Sequence, residues 1–272
     1  MMRALVICLL GAPPQSVAAR DPPVPPGHDP GGAAVGLFTT GIDYREPEIA
    51  RGLARDGEGE IIGWDFVDND NRPYGSAVGE TALAKLLVGS GNVRLVPLRV
   101  DPADPPSLAR AVAFLARTPA RVAVVPMGSA RRADWGPFRH AAAHFKEILF
   151  VVAAGGDGKD RGTDPTYPAA LGLDNVMVVA ARASAPPRGG GGPNFGLETV
   201  DAVVATVPGA GQALPAGSRV AAVQAVATYF GCRGASLAGA SGRDNKRRFL
   251  AELAKDMPGE ADPVIEPCPA RP

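Results

Sequence analysis

Seven short apolar runs with little polar alternation constrain this sequence more than any other feature. They fall at 33–38, 61–67, 93–100, 120–125, 148–154, 175–180 and 200–207. A strand that shows one face to water alternates between apolar and polar residues. These runs do not, so each predicts a strand covered on both faces. The intervening segments predict helices over 76–87, 106–115, 135–146, 217–230 and 244–256. Covered strands separated by helices predict an α/β architecture of three layers around a mostly parallel central sheet. Sites in such sheets form at the carboxyl ends of the strands. The informative stretches are therefore 39–46, 68–80, 126–135, 155–168 and the loop before Gly217.

Charge narrows the function classes. Lys plus Arg and Asp plus Glu both number 28 among 272 residues. With no basic excess to neutralise phosphates, a nucleic-acid partner is not expected. No apolar run is long enough to span a bilayer as a helix, so no membrane span is expected. The chain holds only three histidines, His28, His140 and His144, and none lies between 29 and 139. Any chemistry that needs an imidazole base must draw on those three.

The ends differ from the middle. In residues 1–19, Arg3 precedes the apolar run from Ala4 to Leu10, and Ser16-Val17-Ala18 or Val17-Ala18-Ala19 would serve as a cleavage site. The segment reads as a secretory signal or as a buried first strand. The first reading makes the protein secreted or periplasmic, the second cytoplasmic. Export would leave Cys232 and Cys268 as the pair for one disulfide, and a cytosolic chain would hold Cys8, Cys232 and Cys268 as inert thiols. Residues 20–32 read as a Pro/Gly-rich arm, 33–257 as one domain and 258–272 as a Pro-rich tail.

Several stretches resemble the subtilisin-like serine proteases, the subtilase or S8 peptidase family. VGLFTTGIDYREPEI resembles the V-I-D-T-G-[VI]-D stretch around the family's catalytic aspartate. GWDFVDNDNRP resembles the phrase before its histidine motif, and YGSAVGETALAKLL lies where the H-G-T-H-V-A-G helix begins. VRLVPLRV resembles the strand that follows. VVAAGGDGKDRGTDPTYPAALGLDNVMVVAA resembles the A-A-G-N segment and its next strand. NFGLETVDAVVATVPG resembles the S-N-x-G…V-D-x-x-A-P-G stretch, and GSRVAAVQAVATYF lies where the G-T-S-M-A-x-P serine helix belongs. The resemblance covers roughly residues 33–235 and implies a subtilisin-like fold.

The departures fall on the chemistry. The resemblance puts the aspartate position at Thr39, and the histidine position at Ala77, or Ser76 with a slip of one. It puts the oxyanion asparagine at Gly156 and the nucleophilic serine at Arg219. Acyl transfer by this route needs an alcohol beside an imidazole oriented by a carboxylate. Thr39 is neutral, Ala77 moves no proton, Gly156 has no side-chain donor and Arg219 is no nucleophile. Ser218, one residue earlier, reads as a helix cap. The resulting expectation is a pseudoprotease that binds peptide or protein without cutting it. The alternatives are a structural accessory domain without a working groove, and a hydrolase using another site.

Further candidates follow from residue type. Met127, Gly128, Ser129, Gly155 and Arg219 fall where the family lines its peptide groove. There Arg131, Arg132, Trp135 and Arg219 could receive an acidic or aromatic peptide. No cofactor is expected. Calcium is a weaker candidate, through Asp65, Asp68, Asn69 and Asp70 with Asp43 and Glu46. His140 and His144, four apart on one helix face, could begin a metal site but have no evident third ligand.

Overall fold

The computed structural model describes residues 21–160, 162–182, 200–205, 217–234, 236–237, 241–253 and 264–265. The segment 1–19, the stretch 183–199 and Cys268 lie outside the described residues, and with them the signal reading and the disulfide.

The covered strands form one sheet of eight, ordered β2-β3-β1-β4-β5-β6-β7-β8. They are β1 (Ala33–Thr39), β2 (Trp64–Asp65), β3 (Val93–Arg99), β4 (Val122–Val125), β5 (Leu149–Ala153), β6 (Val176–Arg182), β7 (Ala202–Ala205) and β8 (Val264–Ile265). Each neighbouring pair is parallel. Six helices accompany them among the described residues: α1 (Pro47–Gly52), α2 (Val78–Val88), α3 (Pro105–Leu115), α4 (Gly136–His144), α5 (Ser218–Ala227) and α6 (Gly242–Leu253).

Strand side chains alternate between two cores, which is why the runs are apolar throughout. Val122 and Val124 of β4, with Leu149 and Val151 of β5, pack against α1, α2, α5 and α6 through residues such as Leu83, Leu87, Val223 and Phe249. Ala123 and Val125, with Phe150 and Val152, face the opposite way onto α3 and α4, where Leu108, Val112, Phe138 and Ala142 fill the layer. Three layers result, as the sequence predicts.

Two strands depart from expectation. The run at 61–67 forms a ladder only at Trp64–Asp65. The Asp65 carboxylate accepts the N–H groups of Val67 and Asp68 and turns the chain away. Val264–Ile265, inside the Pro-rich tail, adds an eighth strand beside β7.

The arm is part of the body. Tyr44 donates its hydroxyl to the Pro22 carbonyl at 2.5 Å, and Arg55 donates to the Pro25 carbonyl at 2.7 Å. Asp29 accepts Arg94 at 2.8 Å and the Arg55 amide at 2.9 Å. Burial alone would push the Asp29 carboxyl up. The amides of Arg55 and Gly31, with the Arg94 guanidinium, outweigh it and hold that carboxyl below its usual range.

The order of the strands fixes where a site can form. From β1 the chain moves outward to β2 and β3, then returns past β1 to β4. Crossovers leave the two sides of β1 in opposite directions, and a crevice opens at its carboxyl end. Thr39 stands there.

Candidate functional site

Three elements converge at the end of β1. Thr39, buried as the last residue of that strand, accepts the N–H of Gly41 at 3.1 Å and donates to Oε2 of Glu80 at 2.8 Å. Glu80 lies in the first turn of α2, on the helix face that buries Leu83, Ala84 and Leu87. Its Oε1 is ion-paired with Nη2 of Arg219, the second residue of α5. Nε of Arg219 donates to the Pro126 carbonyl at 2.9 Å. A hydroxyl, a carboxylate and a guanidinium thus form a continuous chain from β1 through α2 to α5.

The residue between Thr39 and Arg219 is therefore Glu80, not Ala77. Helix α2 begins at Val78 with Ala77 as its flanking residue, and both Ser76 and Ala77 are exposed. Both precede the helix, whereas Glu80 lies within its first turn and is buried.

Ser218 does not cap its helix. Gly217 holds the cap position without a side-chain bond, and Ser218 turns away to donate Oγ to the Gly155 carbonyl at 2.6 Å. Gly155 has φ of +107°, a conformation that L side chains rarely adopt, and it lets the chain turn at the end of β5.

These residues border a cleft of about 1000 Å³. One wall is Pro126 to Ala130, the other Gly155 to Asp157, and Gly217 to Arg219 join them. Of the expected groove residues, Met127, Gly128, Ser129, Gly155 and Arg219 all line it, as does Gly156. Ser129 is committed elsewhere: its N–H and carbonyl pair with Tyr167 at 2.9 and 2.8 Å. Gly128 passes so close to Tyr167 that a Cβ would stand 2.7 Å from the Tyr167 carbonyl oxygen. Among the described residues, the main chain of Met127 and Gly128 has no hydrogen-bond partner.

Trp135, expected beside the groove, is 2% exposed and packs edge-on against Phe138. Its indole N–H goes to Ser129 Oγ at 3.1 Å. Arg131 pairs with Asp134, and neither it nor Arg132 lines the cleft. The large apolar ring went to the core beneath α4, where its burial is worth most. Arg219 is the arginine that the cleft keeps.

The histidines stand apart from the site. His28 is in the arm. His140 contacts the Gly136 carbonyl at 3.1 Å, and His144 meets the Phe145 ring edge-on. All three are exposed, and none lines the cleft.

The acidic residues expected near calcium disperse. Asp43 pairs with Arg45, Glu46 with Lys85, and Asp70 accepts the Arg72 amide. Asn69 takes a left-handed turn with φ of 59°. Asp65 and Asp68 do come together, joined by Asp21 of the arm, with carboxylate oxygens within 4.8 Å of one another. That trio has the oxygen donors for a divalent cation. The Arg99 guanidinium already lies among them, 2.6 Å from Asp65 and 2.5 Å from Asp68.

A lanthipeptide protease superposes with a TM-score of 0.63 over 88% of this chain and 88% of its own, at 17% identity. The nisin leader peptidase of Lactococcus lactis gives 0.60 over 89% and 86%, at 14% identity. A cold-adapted subtilisin-like serine proteinase gives 0.54 over 93% and 97%, at 17% identity. The fold is subtilisin-like. Sequence identity this low carries the fold and no more. No protein-family model and no curated protein matches the sequence. Among the described residues, no helix is long and apolar enough to cross a membrane.

Proposed function

We propose that this chain is a pseudoprotease, a subtilisin-fold protein that holds a peptide in its cleft and does not cut it. The observation that carries the reading is the Thr39–Glu80–Arg219 chain at the end of β1. Hydrolysis by the serine route needs an alcohol whose proton an imidazole can take. Here the central group is a carboxylate already engaged by a hydroxyl on one side and a guanidinium on the other. A guanidinium offers N–H donors and no acceptor, so Arg219 neither attacks nor takes a proton. Ser218 spends its hydroxyl proton on the Gly155 carbonyl, and no histidine is near to take it.

Binding survives these losses on physical grounds. A subtilisin-type cleft engages its ligand as an added strand through main-chain bonds, and that requires free main-chain groups rather than a triad. Met127 and Gly128 supply them along an open wall. The space beside Arg219 is open, which favours a binding role over a filled, purely structural one.

The test is direct. Purified protein is incubated with a broad peptide mixture and with an active-site serine probe, and the mixture is analysed by mass spectrometry. Peptides should be retained intact and no serine labelled. Cleaved peptides, or a label on Ser218, would overturn the reading.

A further inference from the structure

The cleft ends at an arginine. Its two walls are drawn together at the first turn of α5, where Arg219 Nε holds the Pro126 carbonyl and Ser218 Oγ holds the Gly155 carbonyl. Immediately beyond, Glu80 reaches in from α2 and takes Nη2 of Arg219. A strand laid along Met127 and Gly128 toward α5 therefore meets the guanidinium, with the Glu80–Arg219 pair across its path.

Arg219 has capacity to spare. A guanidinium carries five N–H donors. Among the described residues Arg219 uses Nε on Pro126 and Nη2 on Glu80, and half of its side chain (50%) is open to solvent. The remaining N–H groups can donate to a second carboxylate beside that of Glu80. The same molecule shows the arrangement at Arg99, which holds both Asp65 and Asp68.

We propose that the cleft captures the carboxyl terminus of a peptide. The terminal α-carboxylate sits on the outward N–H groups of Arg219, and the preceding main chain lies along Met127 and Gly128. This rests on the peptide-binding reading above and specifies its ligand. A chain that continues past Arg219 must displace the Glu80–Arg219 pair. A chain that ends there leaves the pair intact and adds charge-assisted hydrogen bonds to it. The first turn of α5 reinforces the preference, because its N–H groups present the positive end of a ten-residue helix to the same place.

The experiment uses the full chain and a pool of octapeptides ending in alanine, labelled at the amino end. The pool is prepared once as free acids and once as amides, and binding is followed by fluorescence anisotropy. The acids should bind about tenfold to a hundredfold more tightly than the amides, the value of charge-assisted hydrogen bonds to one carboxylate. In Arg219→Gln, checked for folding by circular dichroism, acids and amides should bind alike. Equal binding of acids and amides to the unaltered protein would overturn the inference and leave the peptide cleft standing. Binding of neither would overturn the peptide reading and this inference with it. A gap that persists in Arg219→Gln would take the carboxylate away from Arg219.

Discussion

Glu80 and Arg219 lie 139 residues apart in sequence and meet in an ion pair over the end of β1. The pair joins α2 to α5 across the place where the strand order reverses. Glu80 also receives the only hydroxyl proton Thr39 has to give. Removing this carboxylate should therefore be felt in the fold as well as in the cleft.

Glu80→Ala leaves the Thr39 hydroxyl buried without its acceptor and frees Arg219. The first effect costs about 1–2 kcal/mol, while half-exposed Arg219 can return to water and adds little. Glu80→Gln keeps an acceptor for Thr39 and should cost less. Urea denaturation of the two variants gives the order. Equal losses would mean that the Thr39 bond contributes nothing.

Ser218→Ala should lower stability by about 1 kcal/mol, the net value of one hydrogen bond. The unaltered protein should show no peptide turnover and no labelling by an active-site serine probe, as set out above. If labelling of the unaltered protein were seen and vanished in Ser218→Ala, Ser218 would be acting as a nucleophile.

Arg99→Met should be among the more destabilising single changes. Asp65 is 0% exposed, and Arg99 is the cation that faces it. Breaking a buried pair from one side typically costs about 3–5 kcal/mol. The two amides that also bind Asp65 and the partial exposure of Arg99 place this case near the low end. Adding Asp65→Asn to the variant should recover part of the loss, because the orphaned charge is then gone. No recovery in the double variant would show that the charge of Asp65 is not what Arg99 holds.

Acid should loosen the arm. The Asp29 carboxyl is held below its ordinary value of 3.8 in the folded protein. A lowered folded-state value means that the carboxylate's contribution is complete above 3.8 and is lost as pH falls through the lower, folded value. Asp29→Asn should therefore be less stable than the parent at neutral pH, with the gap closing in strong acid. Thermal midpoints measured across that range test it. A gap that stays constant would mean that ionisation of Asp29 does not secure the arm.

The sheet was legible because its signal is periodic. Val122 to Val125 and Leu149 to Ala153 are apolar on both faces because two cores use them alternately. Two-residue strands carry no period, so Val264–Ile265 could not be read from the tail. The 61–67 run extends beyond its short ladder because the turn at Asp65 is made by a side chain. Glu80 is the instructive miss. The resemblance to the family's histidine motif points to Ala77 instead. An acidic residue in register with Leu83, Ala84 and Leu87, on an otherwise apolar stripe, was the available signal. A buried charge at such a position needs a partner, and no spacing in the sequence identifies Arg219 as that partner.

The proline-rich arm bears on where this protein can be cut. Its prolines lend carbonyls without bringing amide hydrogens that need partners, so it docks by receiving bonds from Tyr44 and Arg55. A fragment starting at Ala33 would keep every residue of β1 yet leave Arg55, only 4% exposed, without the Pro25 carbonyl and the Asp29 carboxylate. Arg94 would lose its carboxylate as well. The smallest piece that preserves these contacts begins inside the arm, at Pro22, ahead of the first strand.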